Sequence, residues 1–181
     1  MRIISGSHKG RLIKIQASLP VRPTTDMAKE SLFNILNNKI DFEEVSVLDL
    51  FAGTGSISFE FASRGAKDIT AVDINYKCVE SINHNADIFK FNNIRTVRAN
   101  AIAFLGFCKV QYDIIFADPP YDMKDIPVIP DLILEKKLLK SDGLFILEHS
   151  RDFDFSKHKI FLEHRKYGKV NFSFFGMKDL S

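Results

Sequence analysis

Residues 48–58 read LDLFAGTGSIS, and the change of character inside this stretch decides the architecture. The apolar run VSVLDLF (45–51) is a buried strand. It gives way directly to Gly53 and Gly55 at the mouth of the helical stretch SISFEFASRG, which ends at Gly65. Glycines between a strand and a helix let backbone amides approach a ligand that a Cβ would hold off. Downstream the alternation repeats. DITAVD is a second strand, YKCVESINHNADIFKF a helix with Val79, Ile82, Ala86 and Phe89 on one face, and NIRTVRA a third strand. AIAFLGF, YDIIFAD, a helix around IPDLILEKKLL and the strand DGLFILEH follow. Parallel neighbours need crossovers, and helical crossovers cover both faces, so the pattern predicts a doubly wound α/β sheet that is mostly parallel. KIFLEHRKYGKVNFSFFG (159–176) has two strands around a YGK turn and no helix between them. An antiparallel hairpin should therefore close a seven-stranded sheet.

A different kind of sequence precedes the first strand. RIISGSHKGRLIKI holds two short β-prone runs around a polar, glycine-containing turn, which predicts a hairpin. After ASLPVRPTT, the stretch DMAKESLFNILNN places Ala28, Leu32, Ile35 and Leu36 at helical spacing, with Thr25 or Asp26 to cap it. Residues 1–25 contain Arg2, Lys9, Arg11, Lys14 and Arg22 and no acid, although the whole chain carries a formal charge of only +2. Residues 1–44 read as a basic extension of a domain spanning 45–181.

At 181 residues the chain suits one domain with a short appendage, and 45% hydrophobic with 27% charged residues match an ordinary globular protein. No apolar stretch approaches the roughly 18 residues of a membrane span, and the opening MRIISGSHKG lacks a signal-peptide core, so a cytoplasmic protein is expected. Cys78 and Cys108 show no CxxC spacing and read as reduced thiols. His8, His84, His149, His158 and His164 show no HxxxH or HExxH spacing, so no metal site is expected. The 17 phenylalanines read as core, and no RRM-type GFxF motif accompanies them.

The glycine loop excludes a P-loop, because no Gly-Lys-Ser/Thr follows; Ser58 stands where a dinucleotide fingerprint wants its third glycine. Asp73 ends the second strand, where an acid accepts hydrogen bonds from ribose hydroxyls or caps the next helix. Asn100 and Ala101 follow the third strand, placed to read an adenine edge or to cap the following helix. Residues 113–122 read DIIFADPPYD. Pro119 and Pro120 cannot extend a central strand, so Asp118 sits at its tip, beside the expected nucleoside site.

A (D/N)PP(Y/F) motif in this context resembles the class I S-adenosylmethionine-dependent methyltransferases that act on exocyclic amines. RIISGSHKGR, RPTTDMAKESLFNIL, VLDLFAGTGSISFEFASRGA, NAIAFL and DPPY together resemble the RsmD family of small-subunit ribosomal RNA guanine-N2 methyltransferases. The resemblance is strong over residues 2–121 and looser beyond; Ser5 stands where a glycine is common, and Asn100 where methyltransferases at large often carry an acid. It implies a Rossmann-like class I fold, S-adenosylmethionine as cofactor, and a monomer acting on 16S rRNA in the small subunit or an assembly intermediate. The implied target is the N2 amine of guanine 966. It also implies Asp49 near the methionine amine, Phe51, Ala52, Gly53, Thr54 and Gly55 along the cofactor's backbone, and Asp73 with Ile74 at the ribose. Asn100 and Ala101 would meet the adenine, and Arg2, Lys9, Arg11, Lys14 and Arg22 the RNA phosphates, with Arg22 also placed to close over the cofactor.

An aromatic amine is a poor nucleophile because its lone pair is delocalised into the ring. If the Asp118 carboxylate and the Pro119 carbonyl each accept one N–H, the nitrogen turns tetrahedral and its lone pair is freed. Tyr121 stacks on the base, or packs on the turn as a plain strand-end aromatic. Competing readings are adenine-N6 methylation of DNA or RNA, a catalytically silent rRNA-binding assembly factor, and a nicotinamide dehydrogenase.

Overall fold

The computed structural model describes residues 1–14 and 26–177. Five strands, β1 (Ser46–Leu50), β2 (Asp68–Asp73), β3 (Ile94–Arg98), β4 (Tyr112–Ala117) and β5 (Leu139–His149), pair in parallel. The hairpin β6 (Phe161–Tyr167) and β7 (Val170–Gly176) adds antiparallel, with β7 inserted next to β5. The seven-stranded order is β3-β2-β1-β4-β5-β7-β6, as the alternation of elements predicts. Strand order reverses between β1 and β4, so their carboxyl ends open a crevice where open α/β sheets bind ligands.

Helices α1 (Asp26–Leu36), α2 (Ser56–Ser63) and α3 (Tyr76–Phe89) cover one face; α4 (Ala101–Phe107) and α5 (Val128–Glu135) cover the other. Alternation divides each central strand between two cores. Leu48, Leu50 and Ile115 pack with Phe104, Leu105 and Ile129, whereas Val47, Ile114 and Phe116 pack with Leu32, Phe33 and Phe61. Helix α5 stops earlier than its apolar run suggests, because Lys137 turns left-handed at φ 52° and Leu139 already begins β5.

The N-terminal segment forms the expected hairpin, though a short one. Residues 1–14 double back antiparallel about the bridge Arg2 to Leu12, with Ile3 N–H donating to the Arg11 carbonyl at 2.9 Å and Ile13 N–H to the Met1 carbonyl at 3.2 Å. The turn between the arms is fixed to α2 through its backbone donors. Ile4 and Ser5 N–H donate to the Glu60 carboxylate at 2.7 and 3.0 Å, Ser7 N–H to the Ser63 carbonyl at 2.7 Å, and His8 N–H to Ser63 Oγ at 2.9 Å. These amides at and beside the turn bond to α2, so the hairpin is held against that helix. Gly6 makes the approach possible: its φ is +82°, and a Cβ there would lie 1.9 Å from the Ser63 carbonyl oxygen.

Candidate active site

A cavity of about 480 Å³ lies at the carboxyl ends of β1, β2, β4 and β5, within the range of small-ligand sites. The glycine loop forms one wall. Three of its residues have positive φ: Phe51 at 62°, Gly53 at 53° and Gly55 at 77°. At Gly55 a Cβ would come within 2.9 Å of Ile82 Cγ1 and Phe59 Cε2, so both backbone and packing demand glycine. Phe51 pays the usual steric penalty of a non-glycine residue in the left-handed region. The loop is pinned to the next strand, since Gly53 N–H donates to Asp73 Oδ2 at 2.8 Å while Asp73 Oδ1 accepts Asn75 N–H at 2.8 Å. Asn75, not Asp73, caps α3, accepting Lys77 N–H at 2.9 Å. Asn100 caps α4 through Ala103 N–H at 3.1 Å and lines the cavity as well.

Asp49 forms part of the cavity lining and is 1% exposed, accepting Ser58 Oγ at 2.5 Å and Ser58 N–H at 3.1 Å on one carboxylate oxygen. Ser58, in the place of a third glycine, thus holds the acid at the tip of β1. Burial pushes the Asp49 carboxyl up to about 7, Ser58 works against the shift, and Asp118 and Asp73 reinforce it. Asp49, Asp118 and Glu148 each stand two residues beyond a core residue of the α1–α2 side, namely Val47, Phe116 and Ile146. By strand alternation they share one face, and all three line the cavity.

The structure gathers most of the expected residues in this one place. Phe51, Ala52, Gly53, Thr54, Ile74 and Ala101 join Asp49, Asp73 and Asn100 along the cavity, and Gly55 lies behind it at the start of α2. Asp118, Pro119 and Tyr121 line the same cavity beside them; Pro119 is buried and Tyr121 is 44% exposed. Sequence reasoning missed Ser56, Asn75 and Glu148. Glu148 had a usable signal, since it is the acid near the end of DGLFILEH and strand tips were already the places to inspect.

The basic segment is tied to this cavity by groups the sequence reading left unused. Lys29 and Glu60, both with fully buried side chains, lie 3.8 Å apart. Lys29 Nζ donates to the Arg2 carbonyl at 2.7 Å and to Ser56 Oγ at 3.0 Å, and Ser56 lines the cavity. Burial lowers the Lys29 pKa, with Glu60 opposing the shift. Arg64 donates to Glu60 Oε1 through two nitrogens at 2.9 and 2.8 Å and lies over the Phe33 ring. Thr54 Oγ1 meets Met1 Sδ at 3.4 Å. The side chains of Arg2, Lys9, Arg11 and Lys14 are exposed, Arg2 pairing with Asp26 at 3.5 Å. Arg22 lies outside the described residues.

Comparison with known proteins adds kinship to this geometry. The family model described as conserved hypothetical protein 95 matches residues 1–176. The YlbH protein of Bacillus subtilis is 36% identical over 163 residues, covering 85% of both chains. The ribosomal RNA small subunit methyltransferase D of Escherichia coli K12 is 32% identical over 148 residues, covering 82% of this chain and 74% of that protein. Among solved structures, the Escherichia coli yhhF protein superposes with a TM-score of 0.84 at 27% identity, over 97% of this chain and 96% of that one. The chain therefore belongs to the conserved hypothetical protein 95 family, the family of the small-subunit rRNA methyltransferase D proteins.

Proposed function

We propose that this protein transfers a methyl group from S-adenosylmethionine to the exocyclic N2 amine of a guanine in 16S ribosomal RNA, guanine 966 by its family resemblance. The observation that carries this reading is a single cavity holding the Asp73-pinned glycine loop beside the Asp118-Pro119-Tyr121 tip. Coarser support comes from the relatives whose names describe methylation of small-subunit rRNA.

The residues present suit the cofactor's charge. A cavity lined by the carboxyl groups of Asp49, Asp73 and Asp118 favours a cationic guest. When bound, S-adenosylmethionine supplies a methyl group on positively charged sulfur and leaves as a neutral thioether. Asp49 would hold its ammonium group, the amides of residues 51–55 its chain, Asp73 the ribose and Asn100 with Ala101 the adenine. Asp118 and the Pro119 carbonyl would accept the two N–H bonds of the target amine. Its nitrogen then offers a lone pair for the new N–C bond and sheds one proton to solvent. Positioning of this kind is sensitive to displacements of about 1 Å, which can cost on the order of a hundredfold in rate. Tyr121, half-exposed beside Pro120, is available to stack on an unstacked base. The exposed Arg2, Lys9, Arg11 and Lys14 would meet phosphates, so RNA affinity should fall with salt.

The test offers the protein labelled S-adenosylmethionine together with unmodified small subunits, free rRNA and duplex DNA, and digests the products to nucleosides. Label in N2-methylguanosine is expected; label in N6-methyladenine would overturn the reading. Asp118→Ala should remove transfer by more than about a hundredfold while leaving cofactor affinity within a few fold.

A further inference from the structure

Glu148 takes part in none of the steps above, yet it is 4% exposed and lines the cavity that contains Asp118. Its placement follows from register. Ala117 and Leu147 are paired across β4 and β5, so at the next position Asp118, just past the end of β4, stands beside Glu148, still within β5. On its other flank Glu148 faces Phe172 of β7, and Val170 of that strand also lines the cavity.

We infer that Glu148 selects guanine, its carboxylate accepting the ring N1–H of the base whose N2 amine is held by Asp118 and the Pro119 carbonyl. This rests on the reading of the preceding subsection. The two donors are neighbours on one edge of guanine, and neighbouring strand tips are about 4.8 Å apart, a spacing that suits two acceptors serving one edge. Adenine presents a lone pair, not a proton, at the ring nitrogen beside its amine, so a carboxylate there repels it and gains no bond. Asp118 activates any exocyclic amine; Glu148 decides which base brings one.

The test uses small subunits reconstituted from rRNA carrying, at the methylated position, either guanosine or 2,6-diaminopurine riboside. The analogue keeps the N2 amine but has an acceptor at N1. Wild-type protein should prefer guanosine by about a hundredfold or more in kcat/KM, as sites built to bind a substrate N–H do. In Glu148→Gln, whose amide can donate to the analogue, the preference should shrink to within about tenfold or invert, with cofactor affinity within twofold. If that variant does not fold, Glu148→Asp, with its shorter reach, should likewise narrow the ratio. An unchanged ratio in the variant, or a wild type indifferent to the two bases, overturns the inference even if overall activity drops. Label in N6-methyladenosine would sink the underlying reading with it, whereas N2-methylguanosine with an unchanged ratio removes only the role of Glu148.

Discussion

The two ends of the chain reach the central sheet by different physics. The C-terminal hairpin is attached by aromatic packing: Phe172 and Phe174 enter one core, and Phe175 stacks on Phe145 at 5.0 Å between ring centroids on the other face. The N-terminal segment buries Ile3 and Ile13 beside Phe59 and Phe89 but is fixed in place by a polar knot in which Glu60 receives Ile4, Ser5 and Arg64, while Lys29 holds Arg2 and Ser56. Apolar contact is non-directional and loses energy by increments as atoms are removed. A buried charge network is directional, and removing one member leaves its buried neighbours short of a hydrogen-bond partner. The hairpin is thus built to tolerate repacking. The basic segment is built to stay in one place relative to Ser56 and the cavity.

The comparison breaks most visibly at Lys29. Lys29→Met should lose about 3 kcal/mol in chemical denaturation, because the Arg2 carbonyl and the Ser56 hydroxyl lose their buried donor while Glu60 keeps Arg64. Amide exchange at Ile4, Ser5 and Ser7 should rise with it. Gly6→Ala should cost about 2 kcal/mol and accelerate exchange over residues 1–14 while leaving β5–β7 protected, since the left-handed turn and the Ser63 contact fail together. A third effect is set by pH. Asp49 keeps its proton to about pH 7 in the folded state but releases it near 4 when unfolded, so its contribution to stability is complete below pH 4 and is lost as pH rises through 7. Binding of a cation works in the opposite direction. Affinity for S-adenosylmethionine, followed by calorimetry, should rise by up to about tenfold per unit as pH climbs towards 7 and level off above, and Asp49→Asn should flatten that slope. The smallest change is expected at the aromatic end: Phe174→Leu should cost about 1 kcal/mol by the same denaturation, independent of pH and without altered exchange at residues 1–14.

Much of the fold and part of the site could be read directly. Strand and helix periods, Gly53 and Gly55 after β1 and the proline-terminated tip at Asp118 are local signals, each set by backbone sterics or by burial of one face. The hairpin at residues 2–14 was legible in its β-prone runs, but its docking was not, because donors at its turn reach acceptors on α2, more than fifty residues away. Helix α3 shows the same limit, burying Asn85 because the main chain of Lys14 bonds to it at 3.0 Å in both directions, where an apolar-face reading favours Val79.

By itself, then, the amino-acid order determined the alternating architecture, the closing hairpin and the identity of the strand tips that line the cavity, because these depend on neighbours within one element. Only the folded chain decided that Lys29 and Glu60 would be buried together, and that Glu148 would stand level with Asp118. A charged side chain's burial and its register depend on partners brought from distant segments, and no local period encodes them.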